Sequence, residues 1–399
     1  MLGLCRKVIA LGGVLGGLCL PVQANTTAPD ASQTPDPMQS PAVETFAVDL
    51  STVERMVRVA LLLPLQSDTL RPAAEAVLAG FQAAHEHEKD GVVISIVETG
   101  DSAQDTLAGY KSASTQHDIV VGPLSRTGVT ALVHEAAVNR PTIALTQPDI
   151  SGTGDAAPVR LPQQMLVMGL SIEEEARQAA DWAARENATG KAIVLFTKSA
   201  WQRRAARAFE LQWQQQSREV ELVELIANDG FLNGRVLMQL HEQTQPDSSP
   251  VFFLALDARQ ARQVRAIMGE KAVLYGTSQL NPFTLHDEPA AERTIDMDGT
   301  RLLDIPWQLQ SDHPAVMVYP RPFVEGEQKR SADLERLYAL GIDAYRVARE
   351  LAFGRTGFEM DGVTGKLTVR FDREQTHFER AAQHAVYRDG SVVPADQAR

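Results

Sequence analysis

The stretch VRVALLLPLQSDTLRPAAEAVLAGFQAAHE, residues 57–86, decides the fold, and DIVVGPLSRTGVTALV, residues 118–133, repeats its logic. Each is an apolar run of strand length, a polar loop with small residues, and then a helix-period pattern. Repeated along a chain, that unit builds a parallel sheet with helices on both faces. The loops gather at the carboxyl ends of the strands, where open α/β sheets bind their ligands.

Further units follow: VVISIVE (92–98), a helix from about Ala103, DIVVG (118–122), a helix from about Ser125, and PTIALT (141–146). On the first helix Ala73, Val77, Gly80, Phe81 and Ala84 share one face, and Gly80 is expected to let that helix approach the sheet closely. A second series starts at IEEEARQAADWAARE (172–186), whose acidic first turn suits the helix dipole. Its strands are KAIVLFT (191–197), EVELVELI (219–226), PVFFLAL (250–256) and KAVLYGT (271–277), with helices at about 200–216, 233–244 and 258–269. After GTRLLDIPW (299–307) comes a strong helix, LERLYALGIDAYRVARELA (334–352), with Leu334, Leu337, Tyr338, Gly341, Tyr345 and Ala348 on one stripe. The closing segment reads as strands joined by turns, Asp389-Gly390 being one turn signal.

This pattern predicts an α/β protein of two doubly wound parallel-sheet lobes with a hinge. Lobe 1 is expected over 55–163 plus 299–355, and lobe 2 over 164–298 plus 356–395. Ahead of them, Arg6 and Lys7 precede a short apolar run, and Val22-Gln23-Ala24 offers a small-residue cleavage pattern, so residues 1–24 read as an export signal. Residues 25–54 are Pro-rich, poor in large apolar groups and read as a disordered linker. Cleavage after Ala24 removes both cysteines, Cys5 and Cys19, so disulfides and thiolate chemistry are not expected in the exported body. The GGLC sequence ending at Cys19 loosely resembles a lipobox and keeps lipid anchoring at the outer membrane as an alternative. The formal charge of −13 argues against nucleic acid as a partner, and no run after the signal reaches membrane-spanning length.

Catalytic patterns are missing from the sequence: no G-x-S-x-G, P-loop, H-E-x-x-H, G-x-G-x-x-G or S-x-x-K occurs. His85-Glu86-His87-Glu88 places its histidines two apart, on different helix faces, and reads as a solvated helix end rather than a metal site. No catalytic residue, metal site or cofactor is therefore expected. The candidate ligand site is the cleft between the lobes, at the strand-end loops carrying Ser67, Asp101, Ser102, Leu124, Ser125, Thr146 and Gln147 from lobe 1, and Ser199, Trp201, Asp257, Ser278 and Gln279 from lobe 2. Asp101 and Asp257 either grip a ligand or cap the helix that follows.

Five segments in order carry a family resemblance: RVALLLPL (58–65), AVLAGFQAA (76–84), IVVGPLSRTGVTAL (119–132), RLYALGIDAYRVA (336–348) and GVTGKLTV (362–369). They resemble the type 1 periplasmic binding proteins and, within them, the LppC family of penicillin-binding protein activators. The loop after the first strand, LPLQSD, departs from the small Ser-Gly pair common there. A short Pro-rich spacer stands where larger members resemble a helical-repeat domain. The resemblance implies a non-catalytic periplasmic protein that promotes peptidoglycan synthesis by binding a class A penicillin-binding protein. The alternative is a periplasmic receptor that closes on an amino acid or similar small molecule and feeds an ABC transporter. By resemblance, Ser125 and Thr146 would then take the carboxylate and Asp257 the ammonium.

Overall fold

The computed structural model describes residues 56–135, 138–149, 160–187, 190–243, 250–283, 295–322, 331–372 and 376–398. All belong to one compact unit, Val53–Arg399. The expected signal and linker lie outside the described residues.

The first sheet collects β1 (Val57–Leu63), β2 (Val92–Glu98), β3 (Ile119–Val121), β4 (Thr142–Ala144) and β5 (Met165–Val167) in the order β2-β1-β3-β4-β5, all parallel. Between them run α1 (Arg71–His87), α2 (Ala103–Gln116) and α3 (Arg126–Glu135). The apolar run of β1 is buried on both faces: Val59, Leu61 and Leu63 enter one core, Ala60 and Leu62 the other. That two-sided burial is why it reads as a continuous apolar run and not an alternation.

The second sheet repeats the winding. After α4 (Ile172–Glu186) come β6 (Ala192–Phe196), α5 (Ala200–Gln215), β7 (Val220–Glu224), a small hairpin of β8 (Ala227–Asn228) and β9 (Phe231–Leu232), α6 (Gly234–Gln243), β10 (Val251–Leu254), α7 (Ala258–Met268), β11 (Val273–Gly276) and β12 (Arg301–Asp304). The short helices α8 (Pro306–Leu309) and α9 (Pro314–Met317) lead to the long α10 (Ala332–Ala352). The chain closes with β13 (Gly357–Gly362), β14 (Gly365–Phe371), β15 (Thr376–Ala381), β16 (Gln383–Arg388) and β17 (Ser391–Pro394). The seven-stranded order is β17-β16-β12-β11-β10-β6-β7, in which β16 alone runs antiparallel to its neighbours and β17, antiparallel to β16, returns in the direction of the rest. Asp389 and Gly390, both at positive φ, turn the chain between those last two strands as the sequence pattern anticipates.

Three lobe assignments differ from the sequence reading. The strand at 301–304 belongs to the second sheet, because Tyr275 pairs with Arg301 on one side and Arg301 with Val386 on the other. Segment 356–381 forms its own three-stranded sheet, β13-β14-β15, whose Val363, Leu367, Val369 and Phe371 pack into the first core with α10. Met165–Val167, expected in lobe 2, closes the first sheet beside β4. The chain therefore passes between the sheets three times, after β5, after β12 and after β15.

The helix faces also shift slightly. On α1 it is Ala74, not Ala73, that is fully buried, and on α10 Leu334 is 36% exposed. Where α1 crosses α10 two glycines face each other's backbone: a Cβ at Gly80 would lie 1.9 Å from the Tyr338 carbonyl oxygen, and one at Gly341 2.1 Å from that of Val77. Two of the five signature segments meet at this crossing. A third wraps α10: buried Asp343 accepts from the Val363 and Thr364 backbone N–H groups at 3.1 and 2.8 Å and from the Thr364 hydroxyl at 2.6 Å. A side chain at Gly362 would strike that carboxylate, and Gly365 turns at φ +131° against the Ala381 carbonyl. Close packing accounts for these signature positions.

Candidate functional site

The winding of each sheet reverses at one place, between β1 and β3 in the first and between β6 and β10 in the second. Loops at such reversals splay apart and leave a crevice. A cleft of about 580 Å³ opens where the two sets of loops approach each other. Its first-sheet wall is Arg126 at the start of α3 with Gln147, Pro148 and Asp149 after β4. The other wall is Ser171, Glu173 and Arg177 of α4 and the face of α5 carrying Ala200, Arg203, Arg204 and Arg207.

Five arginines on a chain of net charge −13 make this cleft unusual. Glu173 holds part of it together: its Oε1 accepts from Arg204 Nε at 2.7 Å and lies 3.6 Å from Arg126 Nη2, so one carboxylate links α3 to α4 and α5. Burial opposes ionisation of Glu173, but its own backbone N–H and the Arg204 and Arg126 guanidiniums outweigh it and hold the carboxyl below its ordinary value. Arg126 also donates to the Pro148 carbonyl at 3.4 Å. Arg177 pairs with Glu174 at 2.6 Å, and Arg207 with Glu210. Arg203 is exposed and has no acidic partner among the described residues.

Of the residues expected at the cleft, Gln147 lines it, and Ser125 and Ser199 immediately precede the lining residues Arg126 and Ala200. Ser125 is buried and its Oγ accepts from the Gly128 N–H at 3.1 Å, capping α3. Ser199 opens α5 without a side-chain cap, and Trp201 is half-buried on its first turn. The Thr146 backbone closes against Gly169, and Leu124 packs on the first core. Ser67 donates to Asp101 at 2.7 Å, and Ser102 caps α2 by accepting from the Asp105 N–H. Asp257 does not line the cleft: it forms a capping box with Gln260 at the start of α7.

Ser278 and Gln279 belong to a buried junction that the sequence reading did not foresee. Arg336, on α10, meets Asp304 at the end of β12 through two hydrogen bonds of 3.0 and 2.7 Å, and also donates to the Ser278 and Asn281 carbonyls. Gln279 reaches Asp333 at 3.5 Å. The Ser278 N–H and hydroxyl donate to Glu175 of α4 at 2.8 and 3.2 Å. Burial, with Asp304 adding to it, pushes the Glu175 carboxyl up to about 7, while the Ser278 donors and Arg336 pull the other way. A second cleft, of about 220 Å³, lies alongside and is lined by Glu174, Glu175, Gln178, His377, Phe378 and Arg380 among others. Arg380 crosses from β15 to the strand-end carbonyls of Met168 and Gly169, both at 2.8 Å, and to the Thr364 hydroxyl at 3.0 Å. Burial lowers it to about 10 against the pull of Asp343 and Glu175.

His85 Nδ1 lies 3.1 Å from the Tyr345 hydroxyl, so this half-buried ring packs on its neighbour, while His87, edgewise to Tyr319, stays exposed at the helix end as the sequence reading has it. Among the described residues, no group of three or more His, Cys, Asp or Glu is placed to hold a metal, and no helix is long and apolar enough to cross a membrane.

Two reversed-winding α/β lobes, crossed three times and enclosing a cleft at their strand-end loops, define a type 1 periplasmic binding protein-like fold. Residues 23–390 match the family described as "LppC putative lipoprotein", and the chain belongs to the LppC family. Among solved structures it is similar to one titled "Structure of a putative branched-chain amino acid ABC transporter from Chromobacterium violaceum ATCC 12472" (31% identity, 83% of this chain and 99% of that chain, TM-score 0.63). The fold also matches the C-domain of LpoA from Haemophilus influenzae, described as a regulator of PBP1A (20% identity, 84% and 99%, TM-score 0.64). Full-length LpoA from the same organism is matched over 85% of this chain but only 59% of its own (21% identity, TM-score 0.63). No curated protein matches the chain.

Proposed function

We propose that this protein is a non-catalytic periplasmic activator of peptidoglycan synthesis that works by binding a class A penicillin-binding protein. The observation that carries the reading is membership of the LppC family over residues 23–390, together with a fold shared with a regulator of PBP1A. The site chemistry agrees with it. The cleft of about 580 Å³ is lined by arginines from both lobes, a lining suited to recognition. Arg336–Asp304 and Arg126–Glu173 tie the lobes to one another and present a partner with a defined face.

A second reading, a solute receptor for a transporter, is favoured by the 31% identical structure titled as an amino acid ABC transporter. Against it, the ammonium of a bound amino acid needs a carboxylate: Asp257 is engaged at its helix cap and Glu173 already serves two guanidiniums, which leaves Asp149 as the remaining acid among the lining residues. The two readings separate in a direct binding assay. The purified chain, immobilised and exposed to a class A penicillin-binding protein from the same organism, should bind it saturably. A leucine, isoleucine or valine complex of micromolar affinity with no synthase binding would replace the activator by the receptor. Ligand at a hundred times its dissociation constant adds about 2.7 kcal/mol of stability, which a thermal-shift screen resolves.

A further inference from the structure

We infer that the cleft between α3 and α4–α5 binds a short acidic peptide, its side-chain carboxylates held by Arg126, Arg203, Arg204 and Arg207. The inference does not depend on the synthase reading. It rests on charge, geometry and size. The four guanidiniums come from both lobes and converge on one cavity. Arg126 and Arg204 share the single carboxylate of Glu173, itself only 17% exposed, so two cations lean on one anion. Arg203 adds a third cation with no acidic partner among the described residues. Arg207 has an acid of its own, Glu210, and Asp149 is the other carboxylate beside Glu173 among the lining residues, so four guanidiniums face two lining acids.

Like charges held close repel, and an anionic ligand seated among these guanidiniums would relieve that repulsion. A guanidinium offers a fork of donors that fits a carboxylate in the plane, so a peptide with two acidic side chains could take one fork from α3 and another from α5. The volume, about 580 Å³, lies within the roughly 300–1,000 Å³ of ligand clefts and accepts a few residues rather than a folded domain. Glu173 sets the selectivity. Ionised and fixed at the floor, it repels an anion placed too deep and leaves Arg203 and Arg207 at the rim as the groups that meet the ligand first.

Fluorescence anisotropy with a labelled, N-acetylated tri-glutamate tests the inference, with tri-glutamine, tri-lysine and inorganic phosphate as competitors. Saturable binding is expected that weakens as sodium chloride rises from about 0.1 M to about 1 M, where screening shortens from about 10 to about 3 Å. Unlabelled tri-glutamate should compete and tri-glutamine and tri-lysine should not. Phosphate competing as well as tri-glutamate would overturn the peptide assignment. The double variant Arg203→Gln/Arg207→Gln, on an exposed helix face, should fold normally and bind at least about tenfold more weakly, the size expected from losing charge-assisted hydrogen bonds. Arg370→Gln, on β14 away from the cleft, should bind like the parent. Absence of tri-glutamate binding at millimolar concentration, or equal binding by parent and double variant, would overturn the inference. Failure of the synthase reading would appear separately, in the synthase-binding assay, with tri-glutamate binding intact.

Discussion

Replacing Gly341 by alanine tests whether the α1–α10 crossing sets the first lobe. The new Cβ would stand 2.1 Å from the Val77 carbonyl oxygen and 2.9 Å from the Phe81 nitrogen, both backbone atoms that no rotamer change can move. Since a carbon–oxygen contact relaxes to roughly 3.3 Å, the helices must part by about 1 Å. A gap of that size forfeits a quarter to a half of the dispersion attraction across it. The loss falls on Val77, Phe81, Ala344, Tyr345 and Ala348, all essentially fully buried in one core, and on the edge-to-face contact of Phe81 with Tyr345, at 5.2 Å between centroids. Overpacking typically costs about 1–3 kcal/mol, and this case belongs at the top of that range because backbone meets backbone. Alanine returns about 1 kcal/mol through helix propensity. The net expectation is a loss of about 2 kcal/mol or more, seen as a melting temperature lower by about 3 °C or more. Circular dichroism melts and urea titration of parent and variant measure it. Gly357→Ala, where a Cβ meets nothing within 4 Å, is the matched control and should be close to neutral. An unchanged or higher stability for Gly341→Ala would refute the claim that this glycine pair fixes the helix distance.

Three further outcomes follow from the buried groups. Glu175 is raised from 4.5 to about 7, so the native state holds a proton that the unfolded chain releases earlier; that stabilisation is complete below 4.5 and is lost as pH rises through 7. Glu175→Gln should therefore flatten the pH dependence and gain on the parent between pH 5 and pH 8, by up to about 3 kcal/mol, in urea titrations at the two values. Asp304→Ala leaves Arg336 buried without its bidentate partner and should cost about 3–5 kcal/mol by the same titration. Asp343→Ala removes the acceptor for the Val363 and Thr364 N–H groups, and hydrogen exchange at those two amides should quicken well beyond that of the β1 amides.

The sheets were legible because buried parallel strands leave unbroken apolar runs, and β2 and α4 fall on the residues read from pattern alone. Met165–Val167 escaped notice because no helix separates it from β4 among the described residues, so it breaks the strand–helix alternation that the reading follows. The strand at 301–304 was given to the wrong sheet because its Leu302 and Leu303 would be equally buried at the open edge of either. Gly80 was read as a close approach of α1 to the sheet, but the backbone it meets is that of α10, and its partner Gly341, 261 positions away, is visible only in three dimensions. The arginine wall escaped for a related reason: Arg126 reads as one polar residue on α3, and Arg203, Arg204 and Arg207 read as the solvated side of α5. Net charge pointed away from anions, whereas the cleft is lined by five arginines and two acids, Asp149 and Glu173. Asp257 illustrates the reverse case, a strand-end acid whose capping role was the alternative weighed against ligand binding.

The account's central claim is activation through a protein partner, and the most direct measurement is the rate of glycan polymerisation by a class A penicillin-binding protein from the same organism, with and without the purified chain. The account predicts a rate that rises with added chain and saturates at the concentration where binding saturates, with leucine, isoleucine and valine leaving it unchanged. No rise at saturating chain would contradict it, and tight binding of one of those amino acids by the same preparation would point to the receptor instead.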